Sequence, residues 1–236
     1  MDRLTRHELK TDKFVEEVGQ TVHFLEAHRQ AIIRYGVIAL IAIVVAAAGY
    51  GYLRAKRSER QQALGRVLEI YNAPVIDPPP ADFLAFRTEQ EKDEAIVKGC
   101  NEIIQRYAGS EEAAMATMLM GSHAVDQGDV DAAERYFKKA AAEGSREFRS
   151  LAQFSLAQLY ASQRKDAEAE KILRELAGKP TVLVTADQAQ IELARILARK
   201  NPEEARKLIS PLVSKPGAVG RAAANVLAEL SRKQGS

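Results

Sequence analysis

From Tyr35 to Leu53 the chain reads YGVIALIAIVVAAAGYGYL, and none of these 19 residues carries a charge. As a helix rising about 1.5 Å per residue, the run measures roughly 28 Å, close to the hydrocarbon thickness of a bilayer. It is expected to span a membrane once. Tyr35 at one end and Tyr50 and Tyr52 at the other suit the interface, and Arg34 and Arg54 bracket the whole. A buried core helix fits such a clean charge gap poorly. A cleaved signal peptide is the other competitor, since Ala46-Ala47-Ala48 resembles a small-residue cleavage site. The 34-residue leader before the run is too long and too balanced in charge for that, and the basic cluster after it has the form of a stop-transfer flank. The segment reads as an uncleaved anchor.

Composition sets the fold class. Aromatics make up only 6% of the chain, Trp is absent, and Ala, Leu, Glu, Lys, Arg and Gln dominate, so helix formers far outnumber strand formers. The chain is expected to be all-α. Residues 1–34 hold equal numbers of acids and bases, whereas 54–66 hold Arg54, Lys56, Arg57, Arg60 and Arg66 against Glu59 alone. With a net charge of +2 overall, the remainder is faintly acidic, which removes the electrostatic basis for nucleic-acid binding. The single cysteine, Cys100, can close no intrachain disulfide.

The positive-inside count favours a cytoplasmic C-terminus, because the cations within about 20 residues of the span lie mostly after it. Large translocated domains weaken that rule. Within the span, Ala39, Ala42, Ala46 and Gly49 form a small-residue stripe on one face, suited to close approach of another membrane helix. Ahead of it, Val15, Val18, Val22 and Leu25 mark an amphipathic helix over 13–29, whose balanced charge suits protein docking or packing on itself better than anionic lipid.

Beyond the span a helix is expected to continue until just before Pro74, followed by an extended loop over 72–87 that contains Pro78-Pro79-Pro80. Thr88-Glu89-Gln90-Glu91 has the capping-box pattern and opens a helix to about Tyr107. From residue 110 the chain repeats. Asp129-Val130-Asp131-Ala132-Ala133-Glu134, Lys165-Asp166-Ala167-Glu168-Ala169-Glu170 and Asn201-Pro202-Glu203-Glu204-Ala205-Arg206 are similar helix starts, with Glu134 expected on an exposed face. Met120-Gly121, Leu156-Ala157 and Leu193-Ala194 pair a large with a small residue in the helices before them. Each unit reads as a helical hairpin that cannot bury its apolar stripe alone, so stacking must create the core.

These residues resemble the tetratricopeptide repeat. Met120, Gly121, Ala124, Gly128, Ala133, Phe137 and Ala140 match its large, small, small, turn-glycine, small, aromatic and small positions. Leu156, Ala157, Tyr160, Ala169 and Leu173 follow in the next unit, with Arg164 in place of the turn glycine. The third keeps Leu193, Ala194, Leu197, Ala205 and Leu212, loses one turn residue and starts its second helix at Pro202. The expected organisation is therefore a tail at 1–34, a span at 35–53 and a degenerate repeat domain at 54–233, with the best repeats at 110–216 and a closing helix at 217–233. Residues 61–72 and 88–107 offer a first, poorer hairpin.

This layout resembles the YfgM-type ancillary subunits of the bacterial SecYEG translocon. The resemblance implies a single-pass inner-membrane protein with its repeats in the periplasm, partnered by the translocon and by periplasmic chaperones. No cofactor, metal, nucleic acid or small-molecule substrate is expected. A repeat scaffold for another envelope assembly, in division or outer-membrane biogenesis, is the competing class. His7-Glu8-Leu9-Lys10-Thr11 fails the two-histidine zinc pattern, His23 and His28 do not share a helix face, and Gly49-Tyr50-Gly51 lies inside the span, so no catalytic motif emerges. His123 and Cys100 read as packing residues.

In similar repeats the first helix of each hairpin lines a groove. The matching positions here are Met115, Met118, Ser122, Val125, Asp126, Phe154, Gln158, Ile191 and Arg195. Met115 and Met118 suit either an adaptable apolar contact or ordinary core. Phe83, Leu84 and Phe86 of the proline-rich loop suit either the groove or a lid over the first hairpin.

Overall fold

The computed structural model describes residues 29–234. The amphipathic segment expected at 13–29 lies, apart from Arg29, outside the described residues. The described residues form nine helices: α1 Arg29–Asn72, α2 Glu89–Arg106, α3 Glu111–Asp126, α4 Val130–Glu143, α5 Arg146–Ser162, α6 Asp166–Gly178, α7 Ala186–Lys200, α8 Pro202–Val213 and α9 Ala218–Gln234. The protein is all-helical, and the chain divides into two compact units, Met1–Ser58 and Glu59–Ser236.

In the first unit, residues 33–58 are exposed throughout, including the apolar side chains of Tyr35, Leu40, Ile43, Val45 and Leu53. Such a surface is out of place in water. The helix is long and apolar enough to cross a membrane. Ala39, Ala42, Ala46 and Gly49 lie along it uncovered, and nothing stands within 4 Å of the place a Cβ on Gly49 would take.

The second unit is a stack of hairpins. The end of α1 packs on α2 through Val67, Ile96, Cys100 and Ile103, joined by Met120 of α3. The fit is close: a Cβ on Gly99 would stand 2.7 Å from Val67 Cγ2. Burial of Cys100 pushes its thiol up to about 11, which keeps it unreactive in the folded protein. The hairpins α3/α4, α5/α6 and α7/α8 and the helix α9 share the larger core. Ala133, Ala169 and Ala205 are each fully buried, as are Ala157 and Ala194 beside the buried Leu156 and Leu193. A larger side chain at these positions would hold the helices apart. Ala223, Val226 and Leu230 of α9 close the core, while Ala224, Asn225 and Glu229 stay exposed on its outer side, as a terminal cap requires.

The turns carry the repeat into the backbone. At the end of α3 the N–H groups of Gln127, Gly128 and Asp129 donate to the carbonyls of His123, Val125 and Ala124. At the end of α5 those of Gln163, Arg164 and Lys165 donate to Leu159, Ala161 and Tyr160. Every donor and acceptor has moved by the same interval. Gly128 takes φ 73° and Arg164 takes φ 63°, so arginine occupies a left-handed position where glycine is at ease. That conformation costs an L-residue roughly 1–2 kcal/mol, offset in part by the roughly 0.5–1 kcal/mol of extra chain entropy glycine brings to the unfolded state. Arg164→Gly should therefore stabilise the domain by about 0.5 kcal/mol or slightly more, and Gly128→Ala should destabilise it by about 1 kcal/mol, in denaturant titrations of the detergent-solubilised chain. The third turn, shorter by a residue, needs no left-handed residue: Asn201 at φ −142° caps α8 by accepting from the Glu204 N–H, with Pro202 at the first helical position.

Two local expectations change. Thr88 does cap α2, accepting from the Glu91 N–H at 3.1 Å, but the Glu91 carboxylate accepts from the Arg87 N–H instead of returning to Thr88. The full capping box is at Thr185 and Gln188, ahead of α7. The proline-rich loop is tied to itself, since the Ile76 N–H donates to Phe86 O and the Phe86 N–H to Pro74 O. Phe83 and Leu84 stay exposed on it.

Candidate protein-binding face

The first helices of successive hairpins, α3, α5 and α7, lie side by side within the stack. Between α3 and α5 a cleft of about 320 Å³ opens, lined by Ser122, Val125 and Asp126 on one side and by Ser155, Gln158, Leu159 and Ser162 on the other, with Phe137 at its base. Of the residues expected to line a groove, it brings together Ser122, Val125, Asp126 and Gln158. Met118 and Ile191 are buried in the core, and Met115 and Phe154 are half-buried outside the cleft. Arg195 is exposed further along the row and pairs with Glu192 at 2.7 Å. Burial raises the Glu192 carboxyl above the usual range, while Arg195 opposes the shift. Phe83, Leu84 and Phe86 do not line the cleft. Ser155, Leu159 and Ser162 escaped the sequence reading, although Ser162 follows Asp126 at the same interval as Gln158 follows Ser122.

Chemically the cleft is an apolar floor with small hydroxyls, an amide and one carboxylate around it. Those groups can donate to and accept from an extended backbone and suit a polypeptide better than a charged metabolite. Among the described residues, no three His, Cys, Asp or Glu side chains are placed to hold a metal ion. His123 stands 3.7 Å from Asp93, which also accepts from Gln127, so both polar groups serve the α2–α3 contact.

Ion pairs clasp adjacent hairpins and hold this face in register. Glu134 of α4, expected to be exposed, is half-buried; it accepts from Tyr160 Oη at 3.0 Å and Lys138 Nζ at 2.6 Å and lies 3.6 Å from Lys165. Asp166 accepts from Arg199 across to α7, and Arg174 bridges Glu170 and Glu204. The hydrogen bond from Lys138 foremost holds the Glu134 carboxyl below its usual range, and that from Arg199 does the same for Asp166. Carboxyls whose folded values are depressed contribute stability that is complete above their unfolded values, about 4, and is lost as pH falls through the lower folded ones. Urea midpoints should thus hold steady from pH 7 towards 5 and fall below about 4. Asp166→Asn combined with Glu134→Gln should flatten that acid limb.

The family model of the tetratricopeptide repeat-like domain matches residues 23–207. The chain belongs to this family. The match begins ahead of the apolar run, so the long helix and the repeats fall within one family unit. A crystal structure of nearly identical tetratricopeptide-like repeats, described as a kinesin light chain of Podosopora anserina, is similar at 17% identity and a TM-score of 0.52, covering 62% of this chain and 78% of that one. At that identity the likeness shows the fold alone. No curated protein matches the chain. A fold of this kind is typically a noncatalytic scaffold for protein partners, and no enzymatic family is indicated.

Proposed function

We propose that the chain is a membrane-anchored, noncatalytic interaction module that serves the bacterial Sec translocon, with its repeats in the periplasm, where they engage chaperones or emerging chains. One observation supports the anchored-module part of the reading: residues 33–58 bury nothing, while the 59–234 repeats bury their apolar stripes and leave an uncharged-to-acidic cleft open on the first-helix row. The translocon and the periplasm come from the resemblance of the layout to YfgM-type subunits. An anchor with a binding face is the economical account of both. Ala39, Ala42, Ala46 and Gly49 then offer the span's approach to a channel helix, and Ser122, Val125, Asp126 and Gln158 offer the repeats' approach to a polypeptide, extended along the row by Arg195. The organisation proposed is a tail to 34, a span over 35–53 and repeats to 233.

The excess of cations after the span favours the opposite orientation, in which the repeats are a cytoplasmic scaffold. Arg60, one of those cations, has a structural role in the repeat domain, where it lies 3.4 Å from the buried Glu112. A reporter cysteine at exposed Glu168 separates the two readings, because buried Cys100 stays silent. In intact spheroplasts an impermeant thiol reagent should label it, and the labelled chain should co-purify with SecY-type channel protein from mild detergent. Labelling only after lysis would make the repeats cytoplasmic; labelling without channel protein would favour another envelope assembly.

A further inference from the structure

A second opening lies away from the first-helix row, where the start of α5, the end of α6 and the connection to α7 meet. This cleft of about 230 Å³ is lined by Arg146, Arg149 and Lys179 against the single carboxylate of Glu175, with buried Leu176 in its wall. Arg146 donates to the Pro180 carbonyl at 3.2 Å. Among the described residues, the side chains of Arg149 and Lys179 have no hydrogen-bond or ion-pair partner, unlike the cations of the inter-hairpin clasps. Unpaired cations converging on a concave wall attract an anion.

The lip of the cleft is the unusual part. The Thr181 N–H donates to Val184 O at 2.9 Å, and the Val184 N–H donates to Thr181 Oγ1 at 3.1 Å, closing a four-residue bend. Both ends of the bend are fixed, since Thr181 Oγ1 lies 2.6 Å from the buried Ser150 hydroxyl and Val184 is buried in the core. The two residues between them are therefore held outward, and they are Val182, 87% exposed, and Leu183, 39% exposed. Bends ordinarily carry Gly, Asn, Asp or Ser at such corners. Here an anchored bend presents two aliphatic side chains beside unpaired cations.

A soluble anion would account for the cations and leave Val182 in water, and an apolar peptide would account for Val182 and leave the cations unmatched. An acidic amphiphile satisfies both. We propose that this cleft and lip form a docking site for a membrane surface of anionic phospholipid, with the phosphate-bearing headgroups at Arg149 and Lys179 and with Val182 and Leu183 entering the interface. The proposal rests on the membrane-anchored reading, which puts a bilayer within the chain's reach.

The chain contains no tryptophan, so Val182→Trp makes a single fluorescent reporter. The full-length variant is reconstituted into phosphatidylcholine vesicles with or without one-third phosphatidylglycerol. Emission should shift to the blue and become quenchable by brominated lipid in the anionic vesicles alone, and both effects should vanish when Arg149→Gln and Lys179→Gln are added. Emission unchanged by phosphatidylglycerol overturns the proposal. An equal shift in neutral vesicles overturns the headgroup assignment, and a shift produced only by an added acidic, leucine-containing peptide makes the site one for protein. Carbonate extraction of the same vesicles reports anchoring separately: a resistant chain with an unshifted reporter contradicts this inference alone, and an extracted chain contradicts the anchor.

Discussion

Gly121→Ala is expected to destabilise the repeat domain by about 2 kcal/mol, although the change adds one methyl group and alanine is the better helix former by about 1 kcal/mol. A Cβ at Gly121 would stand 2.5 Å from Cε1 and 2.7 Å from Cδ1 of Phe137, whose ring is buried. Closely packed interiors yield little, so either the ring leaves its rotamer or α3 and α4 separate, at a cost of up to about 3 kcal/mol. Phe137→Ala alone should cost about 3–5 kcal/mol through the cavity it leaves. In the Gly121→Ala background, Phe137→Leu should cost less than it does alone, since the smaller side chain relieves the clash. Denaturant titration of the four-member cycle checks this. Additive losses, or stabilisation by Gly121→Ala, would show that the two residues do not meet.

The same pair shows what was legible beforehand. The large-then-small pattern of Met120-Gly121, Leu156-Ala157 and Leu193-Ala194 and the recurring alanines 133, 169 and 205 encode helix contacts directly, because only small side chains let two helices touch. Every one of these positions is buried. The turn at Arg164 was legible as a missing glycine, but the backbone keeps the left-handed conformation and leaves the cost with the arginine. Glu134 resisted reading because two of its partners, Tyr160 and Lys165, come from the next hairpin, and an i,i+4 pair with Lys138 alone would leave it on an exposed face.

The binding face was legible only in part. Helical periodicity tells which stripe of α3, α5 and α7 is apolar but not how far the next hairpin covers it. Neighbouring hairpins cover Met118 and Ile191 and leave Ser122, Val125, Asp126 and Gln158 open. Columns counted at the repeat interval would have added Ser162. The bend at Val182 and Leu183 had no signal of its own, because its outward direction is set by Thr181 and Val184 on either side.

Contact with protein along the first-helix row is the claim on which the functional account stands. Photo-crosslinking side chains placed singly at Val125 and Gln158, in the cleft, and at the exposed Glu168 and Ala224, away from it, test that claim in living cells. All four positions are open to solvent, so incorporation should leave the fold intact. Irradiation should produce discrete polypeptide adducts from Val125 and Gln158, absent from Glu168 and Ala224, and Asp126→Arg together with Ser122→Leu should abolish them. Adducts of equal yield at all four positions, or only at Glu168 and Ala224, would contradict a binding face on this row.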